Sequence, residues 1–320
     1  MNNINDKEIL NFTKQINRGF DLENISLDFG QKITNFLFCG MGGSALAAQF
    51  IKEFYPIRIH RNYDLPKDLK IKNTLVVCVS YSGNTEETLS AYDASFKKKL
   101  PLLAISSGGK LKEKANKDNV PFIEIKTKNI QPRMSIFEQI SIILSLIKKI
   151  GLKPIEDYSF IASSIKPPAW QKPGEKIANN LVNKVPLIYV SNKNKAFGYY
   201  WKIAFNENSK VPSFCNCFPE LNHNELMQGK GIDWTSKFCI LILFDQEENP
   251  RIRKRMKLTA KIMKDKGFNV TSIELKGKTP LEKIFNNIIL ASWTSFHLAS
   301  LAGIEPTDPD VLEDFKKMMA

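Results

Sequence analysis

The stretch Thr74-Leu75-Val76-Val77-Cys78-Val79-Ser80-Tyr81-Ser82-Gly83-Asn84-Thr85-Glu86-Glu87-Thr88 decides the fold. Residues 74–79 are an unbroken run of apolar and β-branched side chains, the pattern of a parallel strand buried on both faces. Residues 80–88 read as a helix start, with small hydroxyl residues, a Gly, an Asn and then two carboxylates in the first turn. A strand thus empties directly into hydroxyls and backbone N–H groups at a helix N-terminus, a setting that suits a bound anion. Ser, Thr, Asn and Gly also favour ordinary N-caps and turns, so this stretch alone leaves both readings open.

The same cadence extends in both directions. Residues 35–39, 56–60, 101–105 and 121–125 read as further strands, and 45–54, 86–98, 111–116 and 135–150 as helices, an alternation that predicts a parallel sheet with helices on both faces. Gly151-Leu152-Lys153-Pro154 breaks the pattern, and Pro167, Pro168 and Pro173 punctuate a connector. The second half repeats the style, with strands at 187–190, 238–244 and 270–275 and helices at 196–206, after Pro250 and at 281–301. The expected fold class is α/β, in two domains of related layout spanning residues 1–152 and 153–320, although the repeat is too weak to prove duplication.

Bulk properties exclude several classes. Apolar residues make up 43% of the 320, enough for a globular core, and no run approaches the ~20 apolar residues needed to span a membrane. Met1-Asn2-Asn3-Ile4-Asn5-Asp6 lacks the basic and apolar segments of a signal peptide, so the cytoplasm is the expected location. The net charge of +13 raises the question of nucleic acid. Its sharpest cluster, Arg251, Arg253, Lys254, Arg255 and Lys257, shares a helical segment with the apolar stripe Ile252, Met256, Leu258 and Ile262. Without interleaved aromatics it reads as a solvated helix face whose field draws in anionic metabolites. Cys39, Cys78 and Cys239 lie in apolar runs and read as small buried hydrophobes. Cys215-Asn216-Cys217, with His223 nearby, falls short of the about four ligands a zinc site needs, so no metal is expected.

A second loop competes for interpretation. Gly40-Met41-Gly42-Gly43-Ser44-Ala45 follows the apolar Phe36-Leu37-Phe38-Cys39 and fits the dinucleotide fingerprint, with Arg61 about 20 residues on to meet a 2′-phosphate. That reading leaves residues 80–88 unexplained and comes with no hydride-transfer constellation. The alternative makes Gly42, Gly43 and Ser44 a second anion-contacting turn, opening beside Ser80, Ser82 and Thr85 if the two strands are sheet neighbours.

Further motifs narrow the choice. Gln131-Pro132-Arg133, Phe205-Asn206-Glu207-Asn208-Ser209-Lys210, Pro219-Glu220-Leu221-Asn222-His223-Asn224-Glu225 and a weaker Gly303-Ile304-Glu305-Pro306-Thr307 come in order along the chain. With the two loops, they resemble the bifunctional phosphoglucose/phosphomannose isomerase family, built from sugar isomerase (SIS) domains. The resemblance implies two flavodoxin-like, doubly wound SIS domains per chain, a homodimer, no cofactor and no metal. It also implies aldose 6-phosphate to fructose 6-phosphate isomerisation through ring opening and a cis-enediol. Carried over, Gly42, Gly43, Ser44, Ser80, Ser82 and Thr85 would hold the phosphate, and Arg133 would face the enediolate. Glu207 would move the proton between C2 and C1, and His223, supplied by the partner subunit, would assist ring opening. Thr307 and Lys316 would contact the sugar.

The residue types suit those roles on chemical grounds. A Glu near a helix C-terminus has its charge disfavoured and its pKa pushed up, as a base requires. A guanidinium stabilises a developing enediolate, and an imidazole exchanges protons near neutrality. His60 and His297 read as structural, and Glu220 and Glu225 as supporting or subunit-contact groups. Two departures leave glucose versus mannose 6-phosphate open. Ala45-Leu46-Ala47-Ala48-Gln49 lacks the family's acidic residue, and Glu305-Pro306-Thr307-Asp308-Pro309-Asp310 differs from D-P-T-P. The alternatives are a non-catalytic phosphosugar-binding SIS regulator and an NADP-dependent reductase. A DNA-binding segment of usual size is not expected in the ~30 residues before the first strand. Nor is the glutaminase domain of a glucosamine-6-phosphate synthase.

Overall fold

Residues 74–79 form the middle of a five-stranded sheet, as their apolar run dictates. The structure, a computed structural model, describes residues 4–19, 22, 27–156, 158, 160–229, 234–306 and 311–319. The chain divides into two compact units, one made of 11–165 and 277–285, the other of 1–10, 166–276 and 286–320.

In the first of these units the strands are β1 (Asn35–Cys39), β2 (Ile57–His60), β3 (Thr74–Ser80), β4 (Leu102–Ser106) and β5 (Phe122–Glu124). All neighbours are parallel and the order is β2-β1-β3-β4-β5, the flavodoxin-like winding. Every residue of β3 is buried. Its alternate residues serve opposite faces. Val76 and Cys78 pack with Leu37, Cys39, Leu102 and Ala104 under Ala91, Tyr92, Leu111 and Ala115 of the helices Glu86–Lys97 and Gly109–Lys117. The helix Ile136–Lys149 is buried continuously from Ile136 to Ile147. There Phe137 stacks on Phe12 at 4.4 Å and meets Phe285 at 4.6 Å. Glu138, fully buried, accepts backbone N–H bonds from Lys126 and Thr127, which satisfies polar oxygens that would otherwise be costly to bury.

The second unit winds the same way. Its strands are β6 (Val185–Ser191), β7 (Phe214–Phe218), β8 (Phe238–Phe244) and β9 (Asn269–Glu274), all parallel, in the order β7-β6-β8-β9. Met256 and Met263 of the helix Pro250–Asp265 pack on Tyr189, Ile240, Ile242 and Phe268. The helix Lys195–Asn208 is pinned to residues 286–301 of the helix Pro280–Leu301 by polar contacts. Trp201 Nε1 donates to Asn287 Oδ1 at 2.9 Å, and Tyr200 and Ser292 share a hydroxyl pair at 2.9 Å.

The predicted α/β class with two parallel, helix-flanked sheets is what the chain forms. Three local readings change. β7 was not anticipated, because Phe-Cys-Asn-Cys-Phe is a short edge strand whose outer residues Phe214 and Asn216 face solvent. Two N-terminal helices, Ile4–Leu10 and Phe12–Gly19, precede the first strand. The proline-rich connector is largely helical. Pro167 and Pro168 open a 3-10 turn, and Pro173 sits in the first turn of the helix Gln171–Asn179, where a missing N–H does no harm.

His297 sits within the helix Pro280–Leu301, stacked on Trp293 at 5.6 Å, with Nε2 buried and unpaired. Burial depresses its pKa, opposed by Glu175, Asp6 and a backbone contact at Gln171. The folded state thus binds this proton more weakly than the unfolded chain. Its contribution to stability is complete above the unfolded value of about 6.5 and is lost as pH falls toward the folded value. The urea midpoint should fall between about pH 7 and about pH 5, and His297→Gln should make that decline shallower. Parallel slopes for the two proteins would assign the acid sensitivity elsewhere.

Candidate active site

Ligands of open parallel sheets bind where the strand order reverses. β1 and β3 are neighbours although β2 lies between them in sequence, and ligands of such sheets sit at this switch point, beyond the C-terminal ends of the strands. Both glycine- and serine-rich loops leave from there. Ser44 Oγ accepts the Tyr81 N–H at 3.2 Å and stitches the loops together. Within the second loop, the Ser80 and Thr85 hydroxyls pair at 2.8 Å. Gly83 N–H donates to Ser80 Oγ at 3.1 Å, and Asn84 N–H to Ser82 Oγ at 3.3 Å. Ser44 and Ser80 are buried, while Ser82 and Thr85 are partly exposed. Thr85 is the N-cap residue of the helix Glu86–Lys97, yet its hydroxyl turns to Ser80 and caps no helix N–H. The helix Gly42–Ile51 also starts without a side-chain cap. Two helix N-termini without side-chain caps, ringed by hydroxyls, form a polar, donor-rich cradle for an anion.

Glycine is required by contact at one position and fits closely at another. Gly83 has φ +73°, and a Cβ there would lie 1.8 Å from the Gly108 carbonyl oxygen. At Gly43 a Cβ would come within 3.3 Å of Arg133 Cα, so this glycine lets the Arg133 turn rest on the first loop. Arg133 belongs to the 3-10 turn Pro132–Ser135, is only 5% exposed, and contacts Gln131 Oε1 through Nη1 at 3.4 Å. Gln15 Nε2 ties the same turn down through Met134 O at 2.8 Å. The structure therefore brings together Gly42, Gly43, Ser44, Ser80, Ser82, Thr85 and the backbone of Arg133.

Sequence reasoning missed a third loop, Ser106-Ser107-Gly108-Gly109-Lys110, which comes after β4. Ser107 donates to Tyr81 O through both its hydroxyl (2.7 Å) and its N–H (2.9 Å). Lys110 N–H donates to Asn84 Oδ1 at 3.0 Å, and Leu111 N–H to Gly83 O at 2.9 Å. This loop props the cradle from behind. Its signal was available, since it repeats the strand, Ser/Gly turn and helix pattern of the other two. Tyr81 was also overlooked; its hydroxyl donates to Thr127 O at 3.1 Å.

Glu207 and His223 lie in the other unit. Glu207 is the penultimate residue of the helix Lys195–Asn208 and is half-buried. Its neighbours are locked. Asn206 Nδ2 donates to Val211 O at 2.9 Å, Asn208 Nδ2 to Ser295 Oγ at 2.8 Å, and Ser209 Oγ to Ser295 O at 2.7 Å. His223 is exposed and ends the 3-10 turn Glu220–His223 after β7. Asn222 anchors that turn by donating to Thr259 Oγ1 at 2.8 Å. Glu225 accepts from Asn216 and Gln228, and burial together with Glu225 drives up the pKa of Tyr189. Thr307 lies outside the described residues. Lys316 falls in the helix Val311–Met319, but its side chain is likewise outside them. Arg61, which the dinucleotide reading would turn toward a 2′-phosphate, donates to Gln49 Oε1.

Two parallel sheets of this winding, one carrying a hydroxyl cradle at its switch point, place the chain in the class of SIS-fold phosphosugar isomerases. The tagatose-6-phosphate ketose/aldose isomerase of Escherichia coli shares the fold, with a TM-score of 0.68 at 13% identity over 96% of this chain and 95% of that one. The family model of the bacterial phospho-glucose isomerase C-terminal SIS domain matches residues 170–319. The bifunctional phosphoglucose/phosphomannose isomerase of Aquifex aeolicus is 33% identical over 93% of this chain and 94% of its own length. The enzyme of the same name from Caldicellulosiruptor bescii is 33% identical over 98% of each. The chain belongs to the bifunctional phosphoglucose/phosphomannose isomerase family.

Gly83→Ala tests the cradle's construction. The new methyl group meets a backbone carbonyl and forces a left-handed conformation on Ala, so a loss of about 2 kcal/mol or more is expected. Urea unfolding measures it, and an unchanged midpoint would show that the loop yields freely.

Proposed function

We propose that this chain is a cytoplasmic, homodimeric aldose–ketose isomerase that interconverts glucose 6-phosphate and fructose 6-phosphate, with mannose 6-phosphate as the second aldose to test. Family membership supports the reaction class. The single structural observation that carries the reading is the stitched cradle, in which Ser44 meets the second loop and the Thr85 hydroxyl turns away from its own helix.

In this reading the C6 phosphate is held by the backbone of Gly42 and Gly43 and by the hydroxyls of Ser44, Ser80, Ser82 and Thr85. Neutral donors aimed at a dianion give charge-assisted hydrogen bonds, stronger than neutral pairs. Tethering the sugar by its phosphate converts proton transfer into an effectively intramolecular event. His223, contributed by the partner subunit, takes the proton of the O1 hydroxyl and returns one to the ring oxygen, opening the hemiacetal. Glu207 removes the C2 proton of the open aldose and delivers it to C1 through the cis-enediol, while the O2 hydroxyl proton passes to O1, and the Arg133 guanidinium steadies the negative charge that develops on the oxygens. The locked neighbours of Glu207 support its role, since a base must be held within hydrogen-bond reach of the proton it moves. Thr307 and Lys316 are proposed sugar contacts.

A coupled assay in excess EDTA should show turnover of glucose 6-phosphate and fructose 6-phosphate. No turnover with these sugars or with mannose 6-phosphate would end the proposal. Glu207→Gln should lower kcat by about two to four orders of magnitude while fructose 6-phosphate still protects the protein against thermal unfolding. Retained activity would remove Glu207 from the mechanism.

A further inference from the structure

Glu207 comes one residue before the end of the helix Lys195–Asn208, where intrahelical hydrogen bonding gives out and helices fray. Local contacts close the turn. Ser209 N–H and Val211 N–H both donate to Phe205 O at 3.2 Å, Lys210 takes the left-handed conformation with φ 55°, and Lys210 Nζ donates to Glu207 O at 2.9 Å. Contacts from far along the chain add to these. Asn208 Nδ2 donates to Ser295 Oγ at 2.8 Å, and Ser209 Oγ donates to Ser295 O at 2.7 Å. Ser295 belongs to the helix Pro280–Leu301, in the same unit as Glu207, and its Oγ donates in turn to Ser292 O at 3.0 Å. Asn208, Ser209 and Ser295 are all buried.

The Tyr200–Ser292 and Trp201–Asn287 contacts join the same pair of helices farther up. They lie about two turns before Asn208 and set how the helices rest on each other. The bonds to Ser295, in contrast, are made by the two residues that directly follow Glu207. Successive helix residues point about 100° apart. With Asn208 turned onto Ser295, the half-buried Glu207 side chain therefore leaves the helix beside that buried face. Unwinding of the last turn would swing the carboxylate aside, and a misplacement of about 1 Å at a reacting group can cost roughly a hundredfold in rate.

We propose, resting on Glu207 as the proton-transfer base, that Ser295 is its positioning residue and acts through Asn208 and Ser209. The Ser295 hydroxyl fixes the amide that follows the base, and its carbonyl fixes the next hydroxyl. Together they hold the last turn closed, so the carboxylate is aimed before a substrate arrives. The effect falls on kcat and leaves substrate capture alone, because the groups assigned to the phosphate belong to the other unit.

The test measures kcat and KM for fructose 6-phosphate in the full chain, beside the urea midpoint of each variant. Ser295→Ala should lower kcat roughly ten- to a hundredfold and leave KM within about twofold. Asn208→Ala removes the same bond from its other side and should do likewise, and the double variant should be no slower than the slower single one. Placed on Glu207→Gln, Ser295→Ala should slow the residual rate no further. Tyr200→Phe, which removes the hydroxyl pair farther up the helix, should lower the urea midpoint as Ser295→Ala does and keep kcat. A kcat within about twofold of the unaltered chain in both Ser295→Ala and Asn208→Ala, losses that multiply in the double variant, or an equal loss in Tyr200→Phe would each overturn this proposal alone. An unaltered chain without turnover, or a fully active Glu207→Gln, would overturn the role of Glu207 and this proposal with it.

Discussion

The constraint on which the rest of the first unit depends is that β1 and β3 lie side by side while the chain between them makes β2. In a right-handed parallel winding, the crossovers after β1 and after β3 must pass on opposite faces of the sheet, so the loops at their ends part and leave a crevice. The register Cys39↔Cys78 then sets the heights. It brings Gly40 level with Val79, so closely that a Cβ at Gly40 would lie 2.8 Å from the Val79 carbonyl oxygen. Glycine at that point is a consequence of strand pairing. Only with Gly40 folded tightly over the sheet edge does Ser44 reach the Tyr81 N–H.

From that one bond outward, each contact supports the next. Tyr81 is held by Ser44 at its N–H, by Ser107 at its carbonyl and by Thr127 at its hydroxyl. With the residue fixed on three sides, the adjoining Ser82–Thr85 turn has a defined start. Its own polar groups are arranged by Ser80, which accepts from Gly83 and pairs with Thr85. A cradle assembled by the scaffold before a ligand arrives loses little entropy on binding, which is the main way a set of modest hydrogen bonds yields a useful affinity.

Much of this was legible in the sequence because strand interiors and βα loops have strong local signatures. The run 74–79 could be little else than a buried strand, and the Ser-Gly-Asn-Thr-Glu-Glu start could be little else than a loop feeding a helix. The neighbouring of β1 and β3 was not readable residue by residue; it entered as a condition on the two-loop reading, and the observed strand order meets it. β7 escaped because an edge strand needs no continuous apolar run, and Phe-Cys-Asn-Cys-Phe drew attention to metal ligation. The third loop escaped for a different reason. Ser107 acts through its contact with Tyr81, and long-range support of that kind leaves no mark on the spacing of the residues that are supported. The Glu207 turn shows the same limit. Asn206, Asn208 and Ser209 look like solvent-facing polar residues in sequence, yet each is bonded, two of them to Ser295 far along the chain.

The two units repeat one winding and differ in what they place at its switch point. In the second unit the corresponding position lies between β6 and β8, whose C-terminal ends carry Asn194 and Asp245. Asn194 Nδ2 donates to Asp245 Oδ2 at 3.1 Å and contacts Glu248 Oε2 at 3.4 Å, and all three side chains are buried. Asp245 also accepts the Glu247 N–H at 3.1 Å, and Asn249 caps the helix Pro250–Asp265 through Arg251 N. Donors that the first unit leaves ringed by neutral hydroxyls are here met by the protein's own carboxylates and amide. Asp245 and Glu248 thus already engage backbone and amide donors at that edge, the kind of donors an incoming anion would need. The winding creates the crevice in both units, and the side chains at its lip, hydroxyls in one and carboxyl groups in the other, set what each crevice offers a ligand.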